Sequence, residues 1–156
     1  MEVAEGPPSD NTIFATLASV NGAEVDAGRI AQERAADTSV RAFAGDMVRA
    51  HTELQRHAEQ LAAKLELAPQ PLAEDTIQAK AAVAETTLNA ARGAAFDQAY
   101  VRGQVEAHDN AVRMLRNAQG AAANPALKEL LRGTIPKVEQ HLRRARELQR
   151  RLGGGT

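Results

Sequence analysis

Apolar residues recur at steps of three and four along four stretches of this chain, the period of helices that bury one face. Ile13, Leu17, Val20, Ala27 and Ala31 mark the first stripe, and Val40, Phe43, Met47, Leu54, Ala58, Leu61 and Leu65 the second. Val101, Gln104, Ala111, Leu115 and Ala118 mark the third, and Leu127, Leu131, Thr134, Val138, Ala145, Leu148 and Leu152 the fourth. Punctuation falls between them. Ser9 and Asp10 cap a first helix that runs to about residue 36, and Asp37, Thr38 and Ser39 break the chain and cap a second, to about residue 67. Ala68-Pro69-Gln70-Pro71 is a linker that no helix crosses. Asp75 opens a third helical stretch, with Gln78 at capping-box spacing, that reaches about Gln119. Asn124-Pro125 starts the last helix, and Gly153 ends it.

The third stretch would make a rod of about 67 Å, against about 45 Å for the second helix. Gly93 is its natural break, so residues 76–91 read as an extra short helix or bent lead-in and about 94–119 as the third long helix. The pattern predicts an all-α protein, an antiparallel up-down four-helix bundle. One domain is expected over residues 11–152, with flexible ends at 1–10 and 153–156.

Composition agrees. The 156 residues include 33 alanines but only one Tyr, three Phe and no Trp, which favours helices over sheet. The absence of Cys excludes disulfides, thiolate metal sites and cysteine nucleophiles. No apolar run is long enough to span a bilayer. MEVAEGPPSD has neither a basic start nor an apolar stretch, which fits either a cytoplasmic protein or a trimmed export signal with an added Met. A net charge of −1 removes any global attraction to nucleic acid. Arg143, Arg144, Arg146, Arg150 and Arg151 could form a basic strip. The simpler expectation is that they complement an acidic first helix beside them, so no nucleic-acid partner is expected. A homo-oligomer is left open.

The polar residues inside the stripes change the picture. Glu24, His51, His108 and His141 each occupy an apolar-stripe position, one per long helix. His57 lies off the stripe and reads as surface. Counted from the turns, on the premise that both inter-helix turns share one end, the four fall within roughly 9 Å along the bundle axis. A buried carboxylate needs a partner. Three neutral imidazoles with one carboxylate can hold zinc, iron, manganese or copper. The competing reading is a hydrogen-bonded layer in which Glu24 accepts from the histidines and fixes helix register. The residues three before the histidines are Val48, Leu54, Val105 and Val138, so the Glu-x-x-His pattern of di-iron bundles is missing and a mononuclear site is favoured. Asp97, three turns before His108, reads as an outer partner of the site, a distant ligand, or a first-turn charge favoured by the helix dipole. Tyr100 reads as a hydrogen-bond partner of a ligand or as packing at the bundle wall. Ser9, Ser19 and Ser39 lie at helix starts or away from the polar layer, so chemistry by protein groups alone is disfavoured. Whether the chain is an enzyme is left open.

Gly22-Ala23-Glu24-Val25, Phe43 through His51, Phe96 through Tyr100, Val105-Glu106-Ala107-His108 and Ile135 through His141 together resemble a bacterial family, domain of unknown function 4142. The resemblance runs from about residue 12 to 148. One departure is Ala50, where the family pattern often places Asp. The resemblance implies a ferritin-like helical fold and an exported, periplasmic or envelope location, with no established activity. It also singles out Glu24, His51, Asp97, Tyr100, His108 and His141. The function expected is a metal-binding bundle of the envelope, in metal handling or oxidative stress. The alternative is a structural or interaction module.

Overall fold

The computed structural model describes residues 6–153. They form α1 (Asp10–Arg34), α2 (Thr38–Lys64), α3 (Thr76–Ala90), α4 (Gly93–Ala121) and α5 (Pro125–Leu152), with no strand among the described residues. The all-helical expectation is met, and residues 76–91 hold a helix of their own. Of the expected flexible ends, residues 1–5 and 154–156 lie outside the described residues, while α1 is already helical at Asp10.

Local chemistry sets the helix starts. Ser9 accepts the Thr12 N–H, Asp37 those of Ser39 and Val40, and Asp75 that of Gln78. Asn124 accepts the Ala126 N–H, with Pro125 at the first helical position. α4 has no side-chain cap; Gly93, at φ +56°, turns the chain out of α3 instead.

Three sets of hydrogen bonds fix helix direction. Both Asp97 carboxylate oxygens, near the start of α4, accept backbone N–H groups of Ala36 and Asp37 in the α1–α2 turn, at 2.9 Å each. Asp10, at the start of α1, accepts the N–H groups of Ala123 and Asn124 in the α4–α5 turn. Arg151, at the end of α5, reaches Asp37 and Ser39. The α1–α2 and α4–α5 turns therefore lie at opposite ends, and α2 and α4 run the same way. This corrects the plain up-down order expected from sequence. The cause is the segment between residues 65 and 92. It climbs the outside of α1, pinned where Ser19 donates to Asp75 and Gln78 to the Ser19 carbonyl, and again where Arg34 meets Asn89. α3 contributes one buried side chain, Leu88.

α1 and α2 approach closely at Gly28, where a Cβ would stand 2.8 Å from Val48 Cγ2 and 3.1 Å from the Ala44 carbonyl oxygen. The core is divided. One apolar cluster joins Ile13, Leu17, Leu115, Leu127, Leu131 and Val138; the other joins Val40, Phe43, Met47, Phe96, Tyr100 and Val101. Buried polar residues lie between them. α5 packs on α2 and α4 rather than on α1, so its arginines find acids elsewhere than the sequence suggested. Arg144 pairs with Asp46, Arg146 with Asp109 and Arg151 with Asp37.

Candidate metal centre

His51 stands near the middle of α2, His108 of α4 and His141 of α5. Each falls at the helical period of its stripe, so the folding that buries the neighbouring leucines and alanines turns the imidazole inward as well. The three are 1%, 1% and 7% exposed. Their ring centroids form a near-equilateral triangle of 5.5, 5.4 and 5.5 Å. Each offers a nitrogen to a set whose atoms all lie within 4.8 Å of one another.

Hydrogen bonds assign the protons. His108 Nδ1 lies 2.9 Å from the Gln104 carbonyl oxygen, which can only accept, so Nδ1 carries the hydrogen and Nε2 a lone pair. His51 Nδ1 lies 2.9 Å from Asn21 Oδ1, which likewise accepts, leaving His51 Nε2 bare. The two Nε2 atoms face each other at 3.4 Å. Burial, then the neighbouring His108 and His141, hold His51 well below the usual imidazole pKa of 6.5, so a bridging second proton is disfavoured. Burial, then His108 and Arg144, push His141 down to about 4, and its Nδ1 has no partner. Two opposed lone pairs and an orphaned nitrogen suit a shared cation. Nitrogens bound at about 2.0–2.1 Å to one tetrahedral ion stand about 3.3–3.4 Å apart, the separation of His51 Nε2 and His108 Nε2. The residues fit a metal ion.

Other expected residues are placed less uniformly. Glu24 is buried but does not join the 4.8 Å set, and its Oε2 has no hydrogen-bond partner. Tyr100 lies within reach of the Glu24 charge. Burial, then the Glu24 charge, pushes the phenol well above its usual 10, and its hydroxyl is also unpartnered while its ring packs edge-on against Phe43. Asp97 stands eleven residues, about 16 Å, along α4 from His108. Its carboxylate is occupied by the α1–α2 turn. His57 is half-exposed beside Arg56 and Glu53.

Asn21 was missed as a partner of the site, although helical spacing carried the signal; Gln104 takes part only through its main-chain carbonyl, which any residue there would supply. Asn21 lies three residues before Glu24, on the same face of its helix. A largely apolar cavity of about 70 Å³, bordered by Leu17, Leu54, Leu115 and Thr134, reaches Asn21 and His51.

Solved structures supply likenesses of fold. A DUF305 protein from Streptomyces coelicolor, provisionally described as secreted, is 19% identical over 93% of this chain and 94% of its own, with a TM-score of 0.77. A DUF305 fragment from Deinococcus radiodurans is 17% identical over 90% and 95%, with a TM-score of 0.78. CopM in the Cu(II)-bound form is 14% identical over 92% and 98%, with a TM-score of 0.72. At these identities the shared property is the helical fold. No curated protein matches the chain. The family model described as "Domain of unknown function (DUF4142)" matches residues 2–148.

Proposed function

The chain belongs to the family described as domain of unknown function DUF4142, and from that premise and the site's geometry we propose a metal-binding helical-bundle protein. His51, His108 and His141 are the ligands of one transition-metal ion. Glu24 supplies the negative charge beside it, and Tyr100 closes the wall behind Glu24. The observation that carries this reading is the pair of bare Nε2 atoms at 3.4 Å, each with its Nδ1–H committed to an acceptor. The long helices run up, down, down and up with one crossover, the order known in ferritin-like bundles.

The donor set narrows the ion. Neutral imidazoles suit zinc, copper and iron, whereas manganese favours oxygen donors. CopM is described in a Cu(II)-bound form, so copper joins zinc as the first ion to test. A bound ion would supply Lewis acidity or, as copper or iron, electron transfer. The chain's own residues bury His51 and His141 and hold them neutral. Export to the envelope, with a part in metal handling or oxidative stress, is the proposed setting. What supports it is that the Streptomyces coelicolor likeness is provisionally described as secreted. The rival register-layer reading needs Glu24 to accept from the histidines, and no such hydrogen bond exists among the described residues.

Calorimetric titration of chelator-treated, untagged protein with zinc and with Cu(II) tests the proposal. It predicts one site per chain, abolished in His108→Ala while the helical circular dichroism is retained. Absence of binding by both ions, or binding unaltered in His108→Ala, contradicts it.

A further inference from the structure

The acceptor role of Asn21 Oδ1 is itself set by a chain of hydrogen bonds leading to the surface. Asn21 Nδ2 donates to Gln55 Oε1 at 3.2 Å. Gln55 Nε2 donates to Glu59 Oε1 at 3.0 Å, and Gln55 and Glu59 are one turn apart on α2. Glu59 is exposed, and an ionised carboxylate can only accept. It therefore takes the amide nitrogen of Gln55, which turns the Gln55 oxygen to Asn21. Asn21 must then offer its nitrogen to Gln55 and its oxygen to His51. His51 donates from Nδ1, and its Nε2 lone pair is left facing His108.

We propose that Glu59, Gln55 and Asn21 are positioning residues: a directional hydrogen-bond relay that fixes the Nδ1–H tautomer of His51 and so keeps Nε2 open for a metal ion. The purpose assigned to the relay rests on the metal-centre reading; the tautomer does not. Without it, His51 would satisfy the layer better in the other tautomer, with Nε2–H donating to the His108 lone pair 3.4 Å away. The relay thus holds the metal-free site in an arrangement that disfavours itself and favours a cation, a form of preorganisation.

Reversing the surface end reverses the chain. In Glu59→Lys, the ammonium can only donate, so Gln55 presents its oxygen outward and its nitrogen to Asn21. Asn21 then accepts from Gln55 and donates to His51 Nδ1, and the His51 hydrogen moves to Nε2. Gln55→Leu frees Asn21 to rotate without touching the centre. Glu53→Lys makes the same charge change on α2 beside Arg56 and His57, off the relay.

The test is long-range proton–nitrogen NMR of the nitrogen-15-labelled, metal-free full chain near neutral pH, with the His51 signals assigned by their loss in His51→Ala. We expect Nδ1–H in the wild type and in Glu53→Lys, predominantly Nε2–H in Glu59→Lys, and a mixture in Gln55→Leu. Zinc affinity should fall about 10- to 100-fold in Glu59→Lys, while its metal-free melting temperature is unchanged or raised. A merely structural role moves neither the tautomer nor these two quantities in opposite directions. An Nε2–H tautomer in the wild type, or an unaltered tautomer in Glu59→Lys, overturns the relay. The predicted tautomers without zinc binding in the wild type would support the relay and overturn the metal reading.

Discussion

A free imidazole titrates near 6.5, and the burial of His51 and His141 among other imidazoles holds both below that value, His141 at about 4. The unfolded chain then binds more protons than the folded one as pH falls below 6.5. The contribution of His141 to stability is complete above that pH and is lost between about 6.5 and 4, and that of His51 is lost as the pH falls well below 6.5. The metal-free protein should show a denaturant midpoint that falls across this window, with a shallower fall in His141→Gln; a flat midpoint contradicts the burial argument. At this scale the sequence was informative about which residues matter and less so about how they connect. Glu24, His51, His108 and His141 stood out because a charge or imidazole interrupts an apolar stripe. The Asn21–Gln55–Glu59 chain did not, because amides at helical spacing are ordinary surface residues until hydrogen bonds give them direction.

Between helices, two contacts carry the arrangement, and neither touches the histidines. Asp97 seats the start of α4 on the α1–α2 turn through two N–H groups that it leaves unpaired if removed. Asp97→Ala should lower unfolding free energy by about 3 kcal/mol in urea titration, since hydrogen bonds to a charged group are worth roughly 1.5–3 kcal/mol each. Its zinc stoichiometry should stay that of the wild type; loss of metal with stability intact would make Asp97 part of the centre instead. Gly28 sets the α1–α2 spacing. Gly28→Ala should destabilise, although helix propensity alone favours alanine by about 1 kcal/mol, because the new methyl meets a backbone carbonyl as well as Val48. Adding Val48→Ala should recover part of the loss. The four long helices were legible from caps and periodicity; residues 76–91 were left between a short helix and a bent lead-in, although Asp75 and Gly93 mark the ends of α3. Their directions were not. Nothing in the segment between 65 and 92 states that it returns the chain along α1, so the third long helix was expected to run opposite to the second. His51, His108 and His141 still meet, without Glu24, for a geometric reason: residues near the middle of a helix keep their level whichever way the helix runs.

For the whole molecule, the polar layer sits where two apolar clusters meet, so an ion bound by His51, His108 and His141 would join α2, α4 and α5 near mid-height. An ion that binds only the folded state stabilises it by mass action, by about 2.7 kcal/mol at a free concentration of one hundred times Kd. At about 2–4 °C per kcal/mol for a chain of this size, zinc at that level should raise the melting temperature by roughly 5–11 °C, and a chelator should reverse it. On the basic face of α5, Arg144, Arg146 and Arg151 pair with Asp46, Asp109 and Asp37, three of the six arginines of that helix in a chain whose net charge is −1. The central claim, that three histidines from three helices hold one ion, is tested most directly by plasma mass spectrometry of the untagged protein beside His51→Ala. The account predicts about one transition-metal ion per chain in the wild type after exposure to zinc or copper and desalting, and none in the variant. Equal metal content in the two proteins, or none in either, would contradict it.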